Sequence, residues 1–94
     1  MSDLTCRRLR IHGVVQGVGF RFALREEALR LGLRGWVRNR RDGTVEAVVA
    51  GQPDALDAII AWSHRGPPAG RVEKVDVSID EGHFATFEMR PTSP

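Results

Sequence analysis

Ninety-four residues, 41% hydrophobic and 28% charged, suffice for one globular domain with its own core and leave no room for a second. Cys6 has no cysteine partner, three scattered histidines offer no metal-ligand cluster, and no apolar run has the length of a signal-peptide core or a membrane span. The expectation is a single cytoplasmic domain over 1–94 with no metal and no cofactor.

The first element is a strand over 7–13, in which Leu9 and Ile11 alternate with Arg8, Arg10 and His12. A glycine-rich loop, Val15-Gln16-Gly17-Val18-Gly19, leads into a helix over about 21–32, where Phe20, Leu24, Ala28 and Leu31 share one face. Glu26 and Arg30 are spaced as an i,i+4 ion pair on the wet side, and Gly32 suits the position just past the helix end. Strands over 34–41 and 44–50 are joined through Asp42-Gly43, a strong hairpin signal, with Val45, Ala47 and Val49 on one face. Pro53 opens a second helix with Asp54 and Asp57 in its first turn. Leu56, Ile59, Ile60 and Ser63 form its buried stripe, and Gly66-Pro67 stops it. A strand over 71–79 places Val75, Val77 and Ile79 inward, and a last one over about 84–90 does the same for Phe87 and Met89. The tail over 91–94 is expected to fray.

The order βαββαβ with an extra terminal strand predicts an α+β fold, the ferredoxin-like two-layer sandwich: a mixed, mostly antiparallel sheet with two helices on one face. That fold hosts many unrelated functions, so function has to be argued from the site.

Charge gives the first hint. Residues 1–41 hold ten arginines against Asp3, Glu26 and Glu27, a balance of +7, and residues 42–94 stand at −5. So basic a half favours an anionic partner, either a phosphorylated metabolite or a nucleic acid. The loop between the first strand and the first helix gives the second hint. Gly17 and Gly19 let the backbone turn tightly and approach an anion, and the helix N-terminus behind them adds a partial positive charge. Arg21, at the opening of that helix, would lay a planar fork of donors across a phosphate. A tight turn followed by an exposed arginine is the plain structural alternative, and spacing alone does not separate the two.

Two longer motifs are more specific. Gly13-Val14-Val15-Gln16-Gly17-Val18-Gly19-Phe20-Arg21 resembles the first signature of the acylphosphatase family, and Gly35-Trp36-Val37-Arg38-Asn39 with Gly43-Thr44-Val45 and Gly51 resembles the second. The resemblance covers nearly the whole chain. It implies hydrolysis of carboxyl-phosphate anhydrides to carboxylate and inorganic phosphate by direct attack of water, with no metal and no covalent phosphoenzyme. It implies further that Gln16, Gly17, Val18, Gly19, Phe20 and Arg21 hold the phosphate and that Arg21 and Asn39 are the catalytic pair, Asn39 orienting the water. Strand parity agrees: if Val37 faces the core, Asn39 lies on the helix-covered side. The expected partner is a small-molecule acyl phosphate, bound by a monomer with no nucleic-acid or membrane contact.

The rival reading is an RNA-binding module of the same element order. Such modules stack bases on aromatic rings of their central strands. Here the outward sites are Arg8, Arg10 and His12 on the first strand and Thr44, Glu46 and Val48 on the third, with no ring among them. Trp36, Arg8, Arg10 and Arg38 are expected to line the open face of the sheet, and Trp62 to pack against a helix edge. His12, His64, His83 and Cys6 are read as solvated, capping or spectator groups.

Overall fold

Alternation along the first strand fixes where everything else must sit. In the computed structural model, which describes residues 5–93, β1 (Thr5–Val14) buries Leu9 and Ile11 on one face and turns Arg8, Arg10 and His12 to the other. It is followed by α1 (Phe20–Arg30), β2 (Arg34–Asn39), β3 (Val45–Gly51), α2 (Pro53–Arg65), β4 (Arg71–Ile79) and β5 (Phe87–Met89). The five strands make one sheet in the order β4-β1-β3-β2-β5, antiparallel throughout except for the parallel β2–β5 pair. Both helices cover the face that carries Leu9, Ile11, Val37, Val45, Ala47 and Val49, and this layer holds the main core with Phe20, Leu24, Ala28, Leu56 and Ile59. The result is the ferredoxin-like α+β sandwich.

Local sequence explains the turns. Gly32, at φ 74°, lets the chain leave α1, and Leu33 N–H then bonds back to the Ala28 carbonyl. In the β2–β3 hairpin, Asp42 Oδ1 accepts from both the backbone N–H (3.0 Å) and the hydroxyl (2.6 Å) of Thr44, an Asx-type brace around Gly43. Pro53 stands in the first turn of α2, and Trp62 on that helix meets Phe20 edge-to-face at 5.4 Å between ring centres.

Four expectations are corrected. Glu26 is not the partner of Arg30; Glu27 is, one residue closer on the same helix face. Val77 and Ile79 lie opposite Leu9 and Arg7, yet both are exposed, Ile79 at 83%. The reason is that β4 is an edge strand: Val75, opposite Ile11, packs against the core as expected, and beyond the register shift between His12 and Gly13 Val72 joins it. Met89 is also exposed, because β5 is a three-residue edge strand and only Phe87 reaches the core. The tail does not fray: Pro91–Ser93 continues beside β2, with Ser93 N–H bonded to the Asn39 carbonyl (3.1 Å) and Arg41 N–H bonded to the Ser93 carbonyl (3.1 Å). Pro94 lies outside the described residues.

Candidate active site

β1 is antiparallel to β3 and β3 is antiparallel to β2, so β1 and β2 run the same way and finish at the same end of the sheet. The glycine loop leaves the end of β1, and Asn39 is the last residue of β2. Topology alone therefore brings the two sequence motifs to one end of the molecule.

The loop turns on two left-handed residues, Gly17 at φ 75° and Gly19 at φ 80°. A Cβ at either would meet no atom within 4 Å, so glycine is required there by backbone conformation and not by crowding. Val15 is buried and anchors the loop to the core, while Gly17 and Gly19 are exposed. Gly19 occupies the N-cap of α1 and supplies no side-chain cap, and the first turn contains no acidic residue. Its leading N–H groups thus have neither a side-chain acceptor nor a carboxylate, the arrangement that suits an oxyanion. Arg21 sits in this first turn, half-buried, with no carboxylate partner among the described residues.

Asn39 pairs with Val45 and shares the parity of Val37, both fully buried on the helix-covered face. Its Oδ1 is a buried acceptor with no hydrogen-bond partner among the described residues. A carboxamide oxygen so placed can take one hydrogen of a water molecule and leave that water's lone pairs free. Gln16 joins the two parts of the site. Its Nε2 donates one hydrogen to the Arg40 carbonyl (2.7 Å) and the other to the Thr44 carbonyl (2.9 Å), across the base of the hairpin that follows Asn39.

The sequence pattern missed Glu46. Alternation puts it on the open face as an outward residue, and it is on that face, yet it is only 1% exposed. Four arginines roof it over. Arg38 Nε (2.8 Å) and Arg40 Nη1 (3.0 Å) donate to Oε1, Arg8 donates to Oε2, and Arg10 stands 3.8 Å from Oε2. Burial pushes the Glu46 carboxyl up, but the hydrogen bonds from Arg38 and Arg40, with the charges of Arg38 and Arg8, outweigh it and hold the group below the usual carboxylate range. The signal was present in the sequence, since arginine occupies the cross-strand neighbours Arg10 and Arg38 on both sides of Glu46.

Trp36 is buried on the same face with Cys6 and Val48, beneath the guanidinium groups of Arg8, Arg38 and Arg90 at 4.6–5.9 Å from its ring centre. The Cys6 thiol is pushed up by burial and further by the Asp80 charge. His12 is bonded to Asp76 at 2.9 Å on the surface, away from the loop-side face. Among the described residues, no three histidine, cysteine or acidic side chains converge as a metal site.

Comparison with known proteins converges on one family. The acylphosphatase family model matches residues 7–89. An acylphosphatase of Acidovorax sp. is 60% identical over 87 residues, spanning 92% of this chain and 90% of the relative. Among solved structures, an acylphosphatase from Coxiella burnetii superposes with a TM-score of 0.91 at 35% identity, covering 94% of each chain. The acylphosphatase from Bacillus subtilis gives 0.87 at 34% identity, covering 93% of this chain and 98% of the other. With the family model spanning nearly all of β1 to β5, and both signatures meeting at one end of the sheet, the chain belongs to the acylphosphatase family.

Proposed function

We propose that the chain hydrolyses acyl phosphates, with Arg21 and the backbone amides of residues 16–20 holding the phosphoryl group and Asn39 placing the attacking water. The observation that carries this reading is the pairing of an uncapped helix N-terminus with an unpartnered buried acceptor, Asn39 Oδ1, at the same end of the sheet. The water oxygen bonds to phosphorus as the bond from phosphorus to the acyl oxygen breaks. That bond's electron pair leaves with the carboxylate, and the water's proton passes to a phosphoryl oxygen. A carboxylate is a weakly basic leaving group, so no general acid is required. Asn39 cannot accept a proton at neutral pH, so its part is orientation. The loose transition state carries its charge on the equatorial phosphoryl oxygens, where the loop amides and the Arg21 fork are most effective.

The test is hydrolysis of benzoyl phosphate, with and without EDTA, by the native chain and by Asn39→Ala. The native chain is expected to turn over unchanged in EDTA, to elute as a monomer and to be inhibited competitively by inorganic phosphate. Asn39→Ala should lose roughly 100-fold in kcat, the scale of a misplaced reactant. Its phosphate Ki should stay close to native, because a loss confined to kcat marks a contact made in the transition state. An Asn39→Ala protein with near-native kcat and a much weakened phosphate Ki would make Asn39 a binding residue and defeat the assignment.

A further inference from the structure

We infer that Gln16 is a positioning residue that sets the spacing between the phosphate loop and Asn39, an inference that rests on the acyl phosphate reading above. Gln16 lies in the loop, and its main-chain N–H belongs to the phosphate cradle by that reading. Its side chain does something separate. The amide spans from the loop to the β2–β3 hairpin and ends on two carbonyls, Arg40 and Thr44, that face each other across the hairpin base.

Those carbonyls are already bonded within the hairpin: Thr44 O accepts from Arg40 N–H (2.9 Å), and Arg40 O accepts from Gly43 N–H (3.1 Å). Each carbonyl oxygen has a second lone pair, and Gln16 Nε2 takes both of these at once. No residue with a single donor of this length could do so. Arg40 is the residue immediately after Asn39, so the bridge ends one peptide from the water-placing side chain. On its other edge the Asn39 carbonyl is held by Ser93 N–H. The Asn39 backbone is therefore fixed from β3, from the C-terminal segment and, through Arg40, from the phosphate loop itself. Only the last of these ties the water to the phosphate. Without it, the loop loses this direct tie to the hairpin, and the attack distance is free to drift. Drift of about 1 Å is enough to cost on the order of 100-fold in rate.

The experiment measures benzoyl phosphate hydrolysis by Gln16→Met and Gln16→Glu, each alone and combined with Asn39→Ala, with phosphate Ki and Tm for every protein. Methionine keeps the length of the side chain and removes both donors. The expected result is a fall in kcat of about 10- to 100-fold for Gln16→Met with phosphate Ki within about threefold of native. In the Asn39→Ala background the same substitution should cost less than about threefold, because there is no placed water left to misplace. Gln16→Glu supplies an independent readout should the methionine protein fold poorly. Ionised, the carboxylate faces two carbonyls with no hydrogen to give; protonated, it regains one donor. Its activity relative to native should therefore rise as pH falls toward and below about 5, near the ordinary glutamate range. Native kcat in Gln16→Met, a phosphate Ki that rises in step with the loss of kcat, a full loss repeated in the Asn39→Ala background, or a flat relative pH profile for Gln16→Glu would each overturn the inference. A native chain inert toward benzoyl phosphate would instead sink the acyl phosphate reading, so the two failures are distinct.

Discussion

Removing the Glu46 carboxylate tests whether the open face of the sheet is held by one buried charge. Replacing Glu46 by alanine leaves Arg8, Arg10, Arg38 and Arg40 without their shared acceptor. Taking one partner from a fully buried ion pair costs about 3–5 kcal/mol. Here the surviving side chains are 24–39% exposed and can turn to water, so the cost falls to about 2–3 kcal/mol after that solvation is allowed for. For a domain of this size each kcal/mol moves Tm by about 4–8 °C, which places the expected drop at roughly 10–20 °C. Glu46→Gln keeps the shape and one acceptor and should lose about half as much. The sign with pH follows from the depressed carboxyl. Its stabilisation is fully present above the ordinary glutamate value of about 4.3 and disappears as pH falls through the lower folded value. Thermal or urea unfolding of native and Glu46→Gln protein between pH 7 and pH 2.5 reads this directly, and the gap between them should close toward the acid end. A Glu46→Ala protein melting within about 3 °C of native, or a native-to-Gln gap constant down to pH 2.5, would refute the reasoning.

Arg21→Lys should be nearly as damaging to kcat/KM and to phosphate Ki as Arg21→Ala, because an ammonium keeps the charge but cannot cover two phosphoryl oxygens in one plane. Gly19→Ala should destabilise by about 1–2 kcal/mol in urea unfolding, since a left-handed φ of 80° is strained for alanine even where space is open. It should also weaken phosphate inhibition, because relaxation of that φ moves the N-cap of α1. Added inert salt should lower kcat/KM less steeply than the +7 of residues 1–41 alone would suggest, because Arg8, Arg10, Arg38 and Arg40 are already paired with carboxylates; a steep slope would show that those arginines still steer substrate.

The sequence was most legible where one period dominates. Leu9 and Ile11, Val45, Ala47 and Val49, and Phe20, Leu24 and Ala28 stand where alternation or helical spacing puts them, because each lies in the middle of the sheet or on the face that covers it, and the Asp42-Gly43 turn stands where its own turn chemistry puts it. It was least legible at the edges. Val77, Ile79 and Met89 have the right parity and no layer to bury them, which only the strand order reveals. The C-terminal segment reads as a Pro- and Ser-bearing tail, yet it finds unpaired backbone beside Asn39, an attraction invisible to composition. In the candidate site, the loop glycines, Arg21 and Asn39 are legible as motifs, but the side-chain bond from Gln16 to the hairpin is not. It depends on the hairpin base coming within 3 Å of a residue more than twenty positions earlier.

The same geometry accounts for a chain so rich in arginine having so spare a candidate site. Strand parity sends Arg8, Arg10 and Arg38 to the open face, where Glu46, Asp42 and Asp80 absorb them and the guanidinium groups of Arg8 and Arg38 cover Trp36. The opposite face is given over to the core, and a guanidinium there would be buried without a partner. Arg21 escapes both fates because it projects from the first turn of a helix, at the end of the sheet, where the backbone amides supply the remaining positive potential. On the reading proposed above, one arginine, one asparagine and a row of N–H groups would suffice for this reaction because the leaving group is already a stable anion. A phosphate monoester, whose alkoxide leaving group needs a proton, would demand a general acid, and His12, the histidine closest in sequence to the loop, is turned to the opposite face and bonded to Asp76. With that histidine turned away, the proposed site would favour anhydrides over monoesters.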